Sequence, residues 1–416
     1  MEDVDIPRYF LCPISLQIMK DPVTAITGIT YDRESIEKWL MAAKDIPTCP
    51  VSMQPLPRDY DLTPNYTLLR LIQSWCTSKA KMGVDQIPTP KTLLSKADIV
   101  SLIKDLDDPL KCVKALKRME GLASENERNV GCGLRNTRCM EEAGVNKAMC
   151  SFIIGCFKGG KTTGLEEALR LLYTVLSSSE DFKIFVKENY DFIDSLTWVL
   201  DCNEIDNQVG VKTHAMLILN KTVEIASTIL LERLNPDFFK RIVGLLRDHK
   251  KCSQQTTKSA LQVLIDLCRW GRNRTKIVEA NAVFELIEME LEKPEKRITE
   301  LILTLLAQLC SCADGRAQFT KHAGGIGMLA KRILRVSPVS DDSALHILDL
   351  IAKFSAKDEV LMEMLSVGVV SKLCMVMQAD CATNLKNKAR GILRLHSKVW
   401  NNSPCIAVYL LTRYPR

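Results

Sequence analysis

Two textures of apolar and polar positions divide the chain. From residue 96 onward apolar side chains return every third and fourth position, in runs such as ADIVSLIKDL, GLEEALRLLYTVL, KSALQVLIDLC, ELILTLLAQLC and SALHILDLIAKF. This spacing predicts one amphipathic helix after another, with no alternation of strands and helices. A short polar or small-residue break followed by an apolar helix recurs at Gly144, Asn189, Pro236, Asn281, Gly324 and Gly368, at spacings of 45, 47, 45, 43 and 44 residues. Before residue 77 the apolar pieces are short and separated by turn signals: IPRYFLCPIS, KDPVTAITGITYDR, IPTCPVS and PLPRDYDLTPN. They predict a small mixed domain with two ordered loops, a hairpin turning at Thr27-Gly28 and a central helix with Ile36, Trp39 and Leu40 on one face. Asp32 is expected to cap that helix, with Glu34 in its first turn. A second helix after Pro64-Asn65 carries Leu68, Leu71, Ile72 and Trp75.

A helical period of this length matches units of two or three helices, of the armadillo or HEAT kind, which bury their apolar faces only by stacking. The expected architecture is mainly α. A small α+β domain covers 6–80, a linker 81–95 and helical repeats 96–400, about six or seven units. Segment 124–143, SENERNVGCGLRNTRCMEEA, reads as a long glycine-containing loop that disturbs the register of the first repeat.

Charge narrows the partners. The net charge is +6 over 416 residues; residues 1–77 carry −3, which leaves +9 for the remainder. That bias is too weak to imply nucleic acid and mildly favours acidic partners. No apolar run reaches the length of a membrane span, and the start, MEDVDIPRYF, is acidic rather than signal-like. The sixteen cysteines are spread along the chain, many beside aliphatics, as expected of small buried hydrophobes in a reducing compartment without a disulfide framework. His214, His249, His322, His346 and His396 show no metal spacing. Residues 155–162, GCFKGGKT, formally match a phosphate loop, and LQVLID at 261–266 imitates its acidic strand. The surroundings lack the parallel-sheet pattern that a phosphate loop requires, so GGKTTG is read as a loop between two helices.

Cys12-Pro13-Ile14 and Cys49-Pro50 invite a zinc RING. A cross-braced RING takes eight Cys or His ligands, whereas up to residue 111 the chain offers Cys12, Cys49 and Cys76 and no histidine. No metal is therefore expected. No Cys–His–acid arrangement supports a thioester-forming cysteine either.

The segment IPRYFLCPISLQIMKDPVTAITGITYDRESIEKWL, then TCPVSMQPL, then LTPNYTLLRLIQSW resembles a U-box, with CPI, DPV, TYDR, Trp39 and the second CP in order. Together with the repeats, nearly the whole chain is similar to plant U-box/armadillo-repeat E3 ubiquitin-protein ligases, several of which act in stress and defence responses. The resemblance implies a zinc-free RING-like fold, held by hydrogen bonds and salt bridges, followed by a right-handed armadillo-like solenoid. Cys12, Pro13, Asp21, Pro22, Tyr31, Asp32, Arg33 and Cys49 are its structural positions. Asp21, Asp32, Arg33, Glu34 and Gln54 are the polar candidates for replacing the metal.

The resemblance also implies a partner: a ubiquitin-conjugating enzyme (E2) charged with ubiquitin, bound by Ile14, Trp39 and Pro50. Gln54 is the polar donor expected to restrict the conjugate. No catalytic residue and no cofactor belong to the chain itself. The armadillo groove is expected to hold protein substrates, with Lys258, Arg272, Lys386, Lys388 and Arg390 as groove candidates. The cytoplasm is the expected location, with nuclear access and pairing of copies left open. The alternative is a non-catalytic interaction adaptor with an inactive U-box.

Overall fold

The computed structural model describes residues 6–42, 47–56, 62–79, 96–124, 132–176, 180–202 and 205–413; the 81–95 linker lies outside them. Contacts divide the chain into two compact units, one up to Asn146 and one from Lys147.

In the first unit, Pro22–Thr24 (β1) and Thr30–Asp32 (β2) form an antiparallel hairpin with Val23 opposite Tyr31. Gly28 closes the turn at φ +79°, where a side chain would be strained. Thr63–Pro64 (β3) pairs on the other side of β1, so the strand order is β2-β1-β3. Arg33–Ala42 (α1) follows β2 directly, and Tyr66–Lys79 (α2) closes the domain. Phe10, Cys12, Met19, Val23, Tyr31, Ile36, Cys49, Leu56 and Ile72 form its core.

Two expectations change here. The Asp32 carboxylate does not cap α1; its Oδ1 accepts from the peptide N–H groups of Lys20 and Asp21 at 2.8 and 3.0 Å. Because Asp32 is still in β2, its side chain points back along the hairpin towards the preceding loop. In α2 the buried stripe is Leu69, Ile72 and Cys76, flanked by Leu68 and Trp75, and Leu71 is exposed. The helix is turned by about one position from the expected face. Asn65 supplies the cap of α2, accepting from Leu68 N–H at 3.0 Å.

Three further helices complete the first unit: Lys96–Lys104 (α3), Cys112–Ser124 (α4) and Cys132–Glu142 (α5). The segment expected to be a loop is thus helical over 132–142, and 125–131 lies outside the described residues. An Arg138–Glu142 pair one turn apart and the burial of Met140 support this helix, and Asn136 Nδ2 donates to Leu122 O of α4 at 3.1 Å.

The helices that follow are Val145–Gly159 (α6), Leu165–Val175 (α7), Glu180–Glu188 (α8), Asp191–Val199 (α9), Gln208–Ile225 (α10) and Thr228–Glu232 (α11). Next come Pro236–Arg247 (α12), Gln254–Leu267 (α13), Gly271–Glu279 (α14), Ala282–Leu291 (α15), Lys296–Leu309 (α16) and Ala313–Lys321 (α17). The last are Gly325–Arg332 (α18), Pro338–Phe354 (α19), Asp358–Ser366 (α20), Val369–Gln378 (α21), Thr383–Leu395 (α22), Ser397–Trp400 (α23) and Pro404–Arg413 (α24). The sequence breaks stand just before α6, α9, α15, α18 and α21, and Pro236 is the first residue of α12. At three of them, Gly144, Asn281 and Gly368, a left-handed residue (φ +80°, +67° and +82°) turns the chain from one helix into the next.

In the second unit α7, α10, α13, α16, α19 and α22 form a row, each stacked on the next. Leu172, Leu219, Leu264, Leu306 and Leu348 sit in successive layers of that row, all fully buried. Helices continue beyond residue 400, where α24 packs on α21. Gly155 lies inside α6, and LQVLID lies inside α13, so neither half of the phosphate-loop match has the required turn or strand. Among the described residues no single helix is long and apolar enough to cross a membrane.

Truncating a fully buried leucine of this row leaves a cavity between stacked helices. Leu264→Ala is expected to destabilise the second unit by about 2–5 kcal/mol, read as a lower urea midpoint by far-UV circular dichroism. An unchanged midpoint would show that the row does not carry the stability of the stack.

Candidate functional site

Two loops of the U-box-like region are built alike. Residues 12–17 read CPISLQ and residues 49–54 read CPVSMQ. In the first, Cys12 N–H donates to Gln17 O (2.9 Å) and Leu16 N–H to Cys12 O (2.8 Å); in the second, Cys49 N–H donates to Gln54 O (2.8 Å) and Met53 N–H to Cys49 O (2.9 Å). Leu16 and Met53 both adopt left-handed backbone, φ +58° and +57°. Each loop is sealed by an antiparallel bridge, Leu11 with Ile18 and Thr48 with Pro55. A left-handed non-glycine residue costs about 1–2 kcal/mol, so the closing bonds must outweigh that strain in both loops. The near-repeat of the hexapeptide extends the two Cys-Pro pairs and is itself a sequence signal for paired loops.

Both cysteines are fully buried and serve as hydrogen-bond centres. Cys49 Sγ lies 3.0 Å from the Tyr31 hydroxyl and 3.4 Å from that of Thr27, and it accepts from Ser52 N–H at 3.4 Å. Burial pushes the Cys49 thiol up, but the bonds from Ser52, Thr27 and Tyr31 outweigh it and bring the pKa down to about 6. Burial, reinforced by the same bond, raises the Tyr31 phenol. Cys12 Sγ accepts from Asp32 N–H at 3.3 Å; burial again opposes, and bonds from Ser15, Asp32 and Ile14 hold this thiol below its ordinary value. Thr27 and Ser52 are contributors that a reading of cysteines and charges did not single out.

The remaining polar candidates separate. Arg33 is buried, and its Nε donates to Asp21 Oδ2 at 2.6 Å, while its Nη1 lies 3.7 Å from Glu37. Arg33 N–H also donates to Asp21 O at 2.9 Å, so the residue that leads into β1 is joined to the start of α1 by backbone and side chain. Glu34 is not part of this network; it pairs with Lys38 at 2.6 Å on the exposed side of α1. The Gln54 side chain is exposed, and its backbone carbonyl is what closes the loop. Pro22 is buried in β1 and Pro13 is exposed on the first loop.

Apolar side chains project from this frame. Ile14 is half-buried against the core, Pro50 is half-buried, and Leu16, Val51 and Met53 are exposed. Trp39 is 43% exposed, and its Nε1 donates to Thr48 O at 2.8 Å, which ties α1 to the start of the second loop while leaving much of the ring in solvent. Among the described residues no group of three or more His, Cys, Asp or Glu is placed to hold a metal ion.

The basic residues nominated for the armadillo groove do not form one surface. Lys258 pairs with Glu295, Lys388 with Asp342 at 2.7 Å, and Arg390 Nη1 donates to Asn387 at 3.2 Å. Lys386 is half-buried on α22, and Arg272 stands on α14, outside the row that carries the others. Four of the histidines are structural: His214 and His396 bond the carbonyls of Gly210 and Ala352, and His249 and His322 bond Glu292 and Glu288.

Two outcomes follow. Asp21→Ala leaves the buried guanidinium with only the 3.7 Å approach of Glu37 and is expected to cost about 3 kcal/mol in thermal or urea unfolding, with loss of under 1 kcal/mol counting against the network. The depressed Cys49 pKa stabilises the folded loop fully above its ordinary value of 9.0 and not at all below about 6. Amide protection in residues 47–56, corrected for intrinsic exchange, should therefore rise from pH 6 to pH 9 in the native chain and stay flat in Cys49→Ala.

The comparisons agree with this geometry. The U-box domain family matches residues 6–81, and the plant U-box protein ARM repeat region matches residues 98–416. The E3 ubiquitin-protein ligases PUB24 and PUB23 of Arabidopsis thaliana are 40% and 41% identical, over 99% and 100% of this chain and 96% and 98% of their own. PUB22 of the same plant is 37% identical over 100% of this chain and 99% of its own. An engineered protein of solved structure aligns over 92% of this chain and 84% of its own with a TM-score of 0.53 and 14% identity, a likeness of fold alone. The chain belongs to the plant U-box/armadillo-repeat family of E3 ubiquitin ligases.

Proposed function

We propose that the U-box receives a ubiquitin-charged conjugating enzyme on the apolar face of its two Cys-Pro loops and α1, and promotes transfer to lysines of a protein held by the armadillo repeats. Ile14, Trp39 and Pro50 supply the contacts. The observation that carries the reading is the coupling of exposed apolar tips to closed loops: the sulfur-centred bonds fix the backbone, so docking orders little further chain.

The chemistry belongs to the conjugating enzyme. Its cysteine carries ubiquitin as a thioester; a substrate lysine amine attacks the thioester carbonyl, the thiolate leaves, and an isopeptide bond replaces the thioester. Cys12 and Cys49 are fully buried, which suits them to structure and not to a covalent intermediate. The exposed Gln54 amide, on a loop whose backbone is fixed at that residue, is positioned to hydrogen-bond the conjugate and narrow its range of geometries.

Single-turnover discharge of a ubiquitin-charged conjugating enzyme onto free lysine tests this. Ile14→Ala and Trp39→Ala should each slow discharge about tenfold or more, as loss of an interface anchor does, in proteins that far-UV circular dichroism shows to be folded at the assay temperature. Gln54→Ala should slow discharge and leave conjugating-enzyme affinity unchanged. Native rates in folded Ile14→Ala and Trp39→Ala proteins would remove the assigned surface.

A further inference from the structure

The second unit contains a cavity of about 550 Å³ where the end of α9, the first turn of α10, α12 and the 3-10 turn His249–Lys251 meet. Its wall is apolar at Leu200, Leu245 and Val209, the last 48% exposed. Its rim is charged: Lys212, Lys240, Arg241 and Lys251 stand with Asp201 and Asp248, and Asp237 beside Lys240 brings the acids to three, a surplus of one positive charge. Two of these acids are engaged by rim cations, Asp201 by Arg241 at 2.7 Å and Asp248 by Lys251 at 3.1 Å. Lys240 meets Asp237 one turn away at 3.0 Å, but both side chains are well exposed, so that pair is weak and easily exchanged.

Gly244 is an independent pointer. It lies inside α12 on the cavity wall, where glycine costs a helix about 1 kcal/mol relative to alanine. Packing does not require it, because a Cβ built there meets no heavy atom within 4 Å, and its φ is not positive. A side chain at this position would therefore project into open space on the cavity wall.

We infer that this cavity binds an acidic peptide segment of a protein partner, an apolar side chain entering beside Gly244 and flanking carboxylates meeting the lysine and arginine rim. A volume of this size takes a few side chains, and an apolar wall with a charged mouth selects a mixed segment over a phosphate backbone. The inference rests on the reading of the armadillo repeats as the partner-binding part.

The probe is a fluorescein-labelled peptide of alternating leucine and glutamate, titrated with the full chain by fluorescence anisotropy, beside the same peptide with glutamine for glutamate. The acidic peptide should bind about tenfold or more tightly than the glutamine form and lose affinity as salt rises. Gly244→Trp should fill the cavity and Lys240→Glu reverse part of its rim; each should weaken binding about tenfold, with far-UV circular dichroism and melting unchanged. If Gly244→Trp does not fold, Lys240→Glu decides. Equal binding of both peptides, no binding of either, or native affinity in the folded variants would overturn the inference. Discharge of the conjugating enzyme by the unaltered protein is measured separately, so failure of the ligase reading is distinguishable from failure of this one.

Discussion

A RING-like surface needs two loops locked side by side, and in most such folds an ion coordinated by several ligands supplies the lock. Here the corresponding constraint falls on two buried sulfur atoms. Cys49 gathers the hairpin turn through Thr27, the second strand through Tyr31 and its own loop through Ser52; Cys12 gathers its loop and the end of β2. Each bond to sulfur is modest, but together they link segments distant in sequence without any side chain longer than a tyrosine. The buried Arg33–Asp21 pair then fixes α1 against the residue that leads into β1, and Trp39 fixes the other side of α1 to the second loop. The placement of every exposed apolar tip descends from these few contacts.

The armadillo part works on a different principle. Among its described residues the helices show no comparable single lock, and stability is spread over nearest-neighbour layers. Polar groups add register between layers: the Thr213 and Thr256 hydroxyls meet at 2.9 Å across α10 and α13, and Asn384 and Lys388 of α22 both reach Asp342 of α19. Such bonds tolerate no slip of one helix along another, so they set alignment where leucine packing supplies most of the energy.

Much of this was legible in the chain. The recurring breaks gave the repeat because a left-handed residue between helices favours glycine or asparagine, and Gly144, Asn281 and Gly368 stand there. The U-box landmarks gave the loops and the central helix. Pairing was not legible: whether Asp32 caps a helix or reaches back to Lys20 depends on hairpin geometry, and one step of rotation in α2 exchanges Leu71 for Leu69. The segment at 132–142 misled because Gly131 and Gly133 suggested a loop, while the helix is supported by the later NTRCMEE stretch and by packing on α4. Nothing in a list of lysines and arginines shows that Lys258 and Lys388 are engaged by acids on the next layer.

The twin hexapeptides divide labour by position. The cysteine, the serine and the glutamine carbonyl close each loop, while the third and fifth residues, Ile14 and Leu16 in one and Val51 and Met53 in the other, face outward or half outward. Closure thus falls to sulfur and backbone atoms, and outward contact to side chains, of the same six-residue stretch. A lineage can therefore change the outward pair by single substitutions that leave the closing bonds intact. Substitutions at the closing positions carry no such freedom, so variation among descendants of this chain should collect at the loop tips.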